Sequence, residues 1–399
     1  MDEQLARQIG ERVRFYRTAA RQSKVVVAGL AAVSPDYLYQ IETGRKMPTI
    51  SVLAQLATAL GVPVGQLLGR EIKSPAPQAK AATGDAVYSA LTGPLPAPYE
   101  PPSLSELRSH IASAWQIWQT SPQRYSKLSV QLPVLITDTE LAVRGASPDD
   151  RRTAYRYAAD LHGLVRTVAK RIGRIDLSLL AADRAVRAAE HADDPLRLAA
   201  ARWNLTQVLL ADGQAHGAEA VTAHAIEALR PEVERGDLDA VALSGALLLI
   251  AAVAAARQGR AWTAHDRLRQ AEPLAARTGE RNTFWTVFGP TNLDMYRVAL
   301  AVETGHATEG LRLAEQVDHD RSLSIERRVA FLLDQAKGYQ QRRDFASALV
   351  VLHAAERAAP EDMRYRPSAR NAVRAVMHGG RRAVAAEAAR LAARVGMPV

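Results

Sequence analysis

The sequence predicts an all-α protein, and three observations predict it. Alanine and leucine dominate an apolar fraction of 48%, while aromatic residues make up only 5%. Such side chains lose little rotamer freedom in helices, and the small ones let helices approach closely. Apolar residues recur at roughly 3.6-residue spacing through most of the chain, and no stretch shows the convincing alternation of a strand. Helix-breaking turns punctuate that periodicity at Gly173, Gly213, Gly259, Gly305, Arg343 and Gly380, at intervals from 37 residues (343 to 380) to 46 (213 to 259).

A chain of 399 residues exceeds one ordinary core, so two or more domains are expected. The formal net charge of +9, from 51 Lys and Arg against 42 Asp and Glu, favours a polyanionic partner. The absence of cysteine excludes disulfides, thiolate metal sites and cysteine nucleophiles. Met1 to Glu11 is mixed polar with two early acids, unlike a secretory signal. The most apolar run, Val241 to Ala256, is interrupted by Ser244 and Gly245 and falls short of the roughly 20 residues that span a bilayer. A buried helix, a cytoplasmic location and no membrane partner are therefore expected. The ten histidines are scattered, without an H-E-x-x-H pair, a Gly-rich phosphate loop or a G-x-S-x-G elbow. No enzymatic activity, metal or cofactor is expected.

Residues 1–73 read as five short helices. The first runs from about Gln4 to Ala19. Ser23 caps a second through Leu30 or Ala31, and Ser34 caps a third that has Pro35 in its first turn and Gly44 at its close. A fourth spans Ile50 to Leu60, stopped by Gly61, and a fifth starts near Pro63. Residues 74–102 hold Pro75, Pro77, Pro94, Pro96, Pro98, Pro101 and Pro102, the composition of a stiff, extended linker, with a short helix inside it around Asp85 to Leu91. Residues 103–399 are helical throughout.

The stretch S-P-D-Y-L-Y-Q-I-E-T-G-R-K-M-P-T, followed by L-A-Q-L-A-T-A-L-G-V-P-V-G-Q-L-L, resembles the phage-repressor/Cro (XRE) family of helix-turn-helix domains. That resemblance implies a third helix lying in the major groove of duplex DNA. It implies base-facing roles for Pro35, Asp36, Tyr39 and Gln40, with Gln40 able to pair bidentately with adenine. Ser23, Lys24, Ser34, Thr43, Arg45 and Lys46 fall at its phosphate-contacting positions, and Arg17 with Glu42 at its internal ion pair. Val13, Val27, Leu38, Ile41, Leu53, Leu56 and Leu60 are the expected core. Ala32 stands where the family usually has a turn glycine, which costs conformational energy if its φ is positive. A homodimer on a palindromic operator follows from the family's half-site geometry.

The six turns of the carboxy-terminal region align further. Five residues after each comes a small side chain: Ser178, Ala218, Ala264, Gly310, Ala348 and Ala385. Seven residues later come Ala185, Ala225, Ala271, Val317, Ala355 and Ala392. Two small residues one heptad apart share a helix face, as in the second helix of a tetratricopeptide repeat, which this region resembles. A TPR-like α-solenoid is expected over 103–399, serving as the sensor and dimerisation domain; an alanine-rich bundle without repeat order is the alternative. The resemblance implies a concave groove lined by first helices, with Asn204, Gln207, Asn292, Tyr296, Asp334, Lys337, Asn371 and Arg374 on its inner face. The amides there can donate to and accept from a peptide backbone. The whole layout is similar to the peptide-pheromone receptors of Gram-positive bacteria and to helix-turn-helix/tetratricopeptide regulators of actinomycetes. It implies a transcriptional regulator that senses a ligand, a short peptide or small molecule. A protein-interaction scaffold with a repurposed helix-turn-helix is the other reading.

Overall fold

Capping residues set where the first helices begin. In the computed structural model, which describes residues 2–19, 22–62, 64–68, 78–95 and 102–397, Ser23, Ser34 and Thr49 sit in extended backbone and accept from Val26, Tyr37 and Val52 N–H. Each satisfies an amide that the first helical turn leaves unpaired. They open α2 (Lys24–Leu30), α3 (Pro35–Glu42) and α4 (Ile50–Leu60), which join α1 (Asp2–Ala19) and α5 (Val64–Leu68) in a first unit, Met1–Ala76. All seven expected core residues are buried in it, together with Ile9, Ala28, Ala31, Ala57 and Leu67. Pro63, where the fifth helix was expected to begin, lies outside the described residues.

A close backbone approach and an ion pair fix α1 against α3. A Cβ on Gly10 would stand 2.1 Å from the Ile41 carbonyl oxygen, so only glycine permits this approach. Arg17 Nη2 then donates to Glu42 Oε2 at 3.1 Å, with Glu42 buried. Ala32 does adopt positive φ, at 51°, in the turn between α2 and α3.

The second unit, Pro77–Val399, begins with a departure from expectation. Within the linker expected over 74–102, the short helix expected around Asp85 to Leu91 is longer, a four-turn helix α6 (Gln78–Thr92). Val87 and Leu91 enter the unit's core, and Arg184 donates to the Leu91 carbonyl at 2.8 Å. The physical reason lies in A-K-A-A-T-G-D-A-V-Y-S-A-L-T, a proline-free, alanine-rich stretch whose prolines stand outside it. Pro75, Pro77, Pro96, Pro98 and Pro101 lie outside the described residues.

Next come α7 (Leu104–Thr120), opened by a Ser103/Glu106 capping box, and α8 (Arg124–Gly145). Six helix pairs follow: α9 (Arg151–Arg171) with α10 (Ile175–His191), α11 (Pro195–Ala211) with α12 (Ala215–Glu234), and α13 (Leu238–Arg257) with α14 (Ala261–Thr278). The remaining three are α15 (Pro290–Glu303) with α16 (Ala307–Ala314), α17 (Ile325–Gln341) with α18 (Phe345–Ala358), and, after the short α19 (Pro360–Tyr365), α20 (Pro367–Gly379) with α21 (Arg382–Arg394). First helices α9, α11, α13, α15, α17 and α20 each pack beside the next, which is the order of a TPR-like solenoid.

The aligned turns are real turns. Gly173, Gly213, Gly259, Gly305 and Arg343 all have φ between 58° and 86°. Gly380 differs, with φ −72° and ψ 152°. Ser178, Ala218, Ala264 and Ala348 are fully buried, as are Ala185, Ala225, Ala271, Ala355 and Ala392. Val317 lies beyond the end of α16 and Ala385 is only half-buried, so the shorter repeats depart from the pattern.

Helix α13 is 20 residues, longer than the apolar run suggested, and is the one described helix long and apolar enough to cross a bilayer. Its side chains from Ala240 to Ala252 are buried, with α11, α12, α14 and α15 packed around it. Gly245, which interrupts the run, is a notch: a Cβ there would stand 2.0 Å from Phe288 Cζ.

Phe288 belongs to a strap, residues 280–289, closed by reciprocal 2.8 Å backbone bonds between Arg281 and Phe288. Inside it Phe284, Trp285 and Val287 take φ of 45°, 59° and 52°. Helix α7 runs across the inner layer, packing on α9 and on α17. Trp115 of α7 stacks on Trp285 of the strap at 4.5 Å, with planes 2° apart. The interior of the solenoid is thus occupied by its own chain.

Candidate functional site

Helix α3 offers one face to solvent. Pro35, Asp36 and Tyr39 are exposed and Gln40 is half-buried, while Leu38, Ile41 and Glu42 face the core. Gln40 Nε2 donates to Asp36 Oδ2 at 2.9 Å. One amide hydrogen is thereby engaged, leaving the other and Oε1 free to meet a base edge. Around this face, Lys24 Nζ stands 4.4 Å over the Tyr39 ring and Lys46 Nζ 5.5 Å over Tyr37. Cation–π contact of this kind holds flexible lysine stems in place. Ser23 and Ser34 spend their hydroxyl oxygens on helix caps, leaving each O–H able to donate to a phosphate. Thr43 is exposed, and its hydroxyl donates to the Tyr39 and Gln40 carbonyls at the close of the helix. Arg45 is exposed beside it.

Residues 8–68 match the helix-turn-helix domain family. They form a helix-turn-helix domain. An immunity repressor of Bacillus phage phi105 is 35% identical over 63 residues, 16% of this chain, and the match spans 44% of that repressor's length. Bacillus thuringiensis PlcR in complex with the peptide PapR7 and DNA is 12% identical, covering 68% of this chain and 95% of its own, with a TM-score of 0.30. ComR from S. thermophilus, in complex with DNA and its signalling peptide ComS, is 11% identical over 94% of this chain and 100% of its own, with a TM-score of 0.28.

Beyond the helix-turn-helix domain, the second unit encloses a cavity of about 40 Å³. Its walls come from α7 (Trp115, Trp118, Gln119), α9 (Arg166, Thr167, Arg171), α11 (Trp203, Gln207), the strap (Trp285 to Val287), α15 (Tyr296), and Ser324 with the first turn of α17 (Glu326, Arg327). Sequence reading placed Gln207 and Tyr296 on an inner face, and both line this cavity. Asn204 is buried one turn away in a smaller cleft with Trp115, Asp160 and Arg197. Its Oδ1 has no hydrogen-bond partner.

Several of the expected ligand residues are already engaged within the protein. Asn292 Nδ2 donates to the Val287 carbonyl at 2.5 Å and its Oδ1 accepts from Arg327 Nε at 2.8 Å, so its amide secures the strap. Gln207 Oε1 accepts from Lys170 Nζ at 2.8 Å. Burial pushes the Asp334 carboxyl up to about 6, against the pull of Arg327 and Lys337. Lys337 pairs with Glu303 at 3.5 Å. Asn371 accepts from Arg374 at 3.2 Å on an exposed stretch of α20, apart from the cavity. The single groove expected from Asn204 through Asn371 is therefore divided, because α7 and the strap fill its middle.

Sequence reading missed the charges and indoles that make the cavity. The signal was present: Arg166, Lys170 and Arg171 sit at i, i+4 and i+5 in an otherwise apolar stretch, L-V-R-T-V-A-K-R. Glu326 pairs with Arg171 and, at 3.0 Å, with Arg366. Despite the upward push of burial, Arg171 and Arg366 hold its carboxyl far below the usual range. Arg366 continues to Asp362 at 3.1 Å, and Asp362 to the buried Arg124 at the start of α8. Among the described residues no three metal-ligating side chains converge.

Proposed function

We propose that this protein is a sequence-specific, DNA-binding transcriptional regulator. Its helix-turn-helix domain reads a half-site, two chains pair on a palindromic operator, and the repeat unit senses a ligand such as a short peptide or small molecule. The supporting observation is the α3 face: a Gln40 amide oriented by Asp36, flanked by cations at Lys24, Arg45 and Lys46. Lysine and arginine supply salt-dependent affinity by displacing counterions, and the glutamine supplies discrimination.

Operator selection from random duplexes followed by titration tests this. Arg45→Glu with Lys46→Glu should weaken binding to all sequences and lower the salt slope by about 2, one for each phosphate no longer neutralised. Gln40→Ala should cost about 1–3 kcal/mol at one base pair only. Two chains should bind per selected duplex. Selection that returns no consensus, or affinity that is indifferent to salt, defeats the reading.

A further inference from the structure

The cavity in the second unit carries a charge imbalance. Its lining holds three guanidiniums, Arg166, Arg171 and Arg327, against one carboxylate, Glu326, which is already engaged by Arg171 and Arg366. Arg166 is only 3% exposed, and its Nε has no hydrogen-bond partner. Its guanidinium lies 5.7 Å over the Trp203 ring. A buried cation without a hydrogen-bonded counter-ion is costly, and such groups persist where a ligand completes them. Burial and then Arg171 push Arg166 down to about 9, which leaves it charged at neutral pH. Burial, then Arg171 and Arg166, also push the neighbouring Lys170 well below its ordinary range. An anion in the cavity would give Arg166 the counter-ion it lacks.

The cavity's other wall is aromatic. Trp115, Trp118, Trp203 and Trp285 all line it, four of the five tryptophans in the chain. Trp285 stacks on Trp115 from a strap in which Phe284, Trp285 and Val287 all take left-handed backbone. That conformation is costly for aromatic and β-branched residues, and it clusters at segments that exchange between states. An indole held parallel at stacking distance occupies the place where a planar ligand ring would lie.

We propose that this cavity binds a small aromatic oxyanion, a carboxylate or a phosphate ester, whose charged end pairs with Arg166 and Arg327 while its ring replaces the Trp285 indole against Trp115. This rests on the reading of the repeat unit as a sensor and gives that sensor a ligand chemistry. Guanidiniums suit it because their planar fork matches either oxyanion. The cavity of about 40 Å³ has room for a few waters but not for an aromatic ring, so the ring enters only as the strap leaves.

The test is tryptophan fluorescence of the full chain in a Trp262→Phe background, since Trp262 is 73% exposed and outside the cavity. The probes are phenylacetate, phenyl phosphate and the neutral phenylacetamide. At least one anion should produce a saturable change, and the amide should require at least tenfold more ligand. Whichever anion binds more tightly identifies the natural charged group as carboxylate or phosphate. Arg166→Gln should abolish the response, and Trp285→Ala, lacking the competing indole, should bind at least tenfold more tightly. Equal binding of the amide, or no response to either anion, overturns the proposal and needs no variant that might misfold. A weaker Trp285→Ala complex overturns the displacement. If the anions bind but leave DNA affinity unchanged, the site stands and the sensor reading falls. If neither binds while low-molecular-weight cell extract alters DNA affinity, the sensor stands and this site falls.

Discussion

His162 shows what burial does to a single titratable ring. It sits on α9 at 5% exposure with Nδ1 unpartnered, and burial, assisted by the charge of Arg184, pushes its pKa down to about 3. The folded chain therefore prefers the neutral ring. The stability that this preference contributes is complete above the unfolded value near 6.5 and is lost as pH falls from there towards 3. At pH 5 the loss is about 2 kcal/mol, from a gap of about 1.5 pH units at 1.36 kcal/mol each. Asp160 and Asp334 act in the opposite sense, since burial raises each from 3.8 to about 6 and their contribution is lost as pH rises through that window. The comparison that isolates the histidine is His162→Leu against wild type, by denaturant unfolding at pH 7 and pH 5. The variant should gain about 2 kcal/mol on wild type between the two, and an unchanged difference would mean the folded ring takes up its proton as readily as the unfolded one. Nothing in R-Y-A-A-D-L-H-G-L-V distinguishes this histidine from one at an exposed helix end, because the packing that buries it comes from other helices.

At the scale of elements, the repeat turns pose a clean question of backbone energy. Five turns are left-handed, and in one of them the residue is Arg343, at φ 58°. A side chain in that region costs about 1–2 kcal/mol. Glycine avoids this but gives up about 0.5–1 kcal/mol of extra unfolded-state entropy. The strain is the larger effect, so Arg343→Gly should stabilise the second unit by about 0.5–1 kcal/mol, read as a higher melting temperature. Gly213, at φ 80° with nothing within 4 Å of a Cβ added there, is the mirror experiment: Gly213→Ala should destabilise by a similar amount through strain alone. If both substitutions move stability in the same direction, the turns are not equivalent. These turns were legible in the sequence because one residue decides them. The caps at Ser23, Ser34 and the span Ile50–Leu60 were legible for the same reason. Only the second half of helix α6 was legible, because averaging prolines over a window wider than the helix hid its start. The strap was hidden more deeply, since R-N-T-F-W-T-V-F-G-P marks an insertion but not that Asn292 and Gln119 tie it into the interior.

At the scale of the whole molecule, the interior of the second unit is where sequence reasoning and structure part most. An aligned set of polar residues predicted an open groove, but helix α7 and the strap fill it, and the start of α8 is tied to α19 through Arg124 with Asp362 and Tyr125 N–H with Glu361. Those contacts join residues more than two hundred positions apart, and no local pattern encodes them. They also bear on control. A solenoid flexes by small rotations summed over its repeats, whereas displacement of the strap as proposed above would give one closed across its interior a second, discrete arrangement.

A ligand that displaces Trp285 would bias that choice, and any difference in DNA affinity between the two arrangements is a coupling free energy. Such couplings are typically about 1–3 kcal/mol, a 5- to 150-fold change, and must be equal in both directions. The expected outcome is that saturating oxyanion changes operator affinity by some factor in that range, and that operator DNA changes oxyanion affinity by the same factor. Asn292→Ala, which removes the amide bond to the Val287 carbonyl, should shift the free protein towards the strap-out arrangement and so reduce the factor. Paired titrations, operator with and without phenyl phosphate and then the reverse, measure both sides of the cycle. Unequal factors would mean a second species, such as an altered oligomer, has entered. Equal factors of one would mean that strap position and operator binding are independent, since a ligand with no preference between two states cannot move them however tightly it binds.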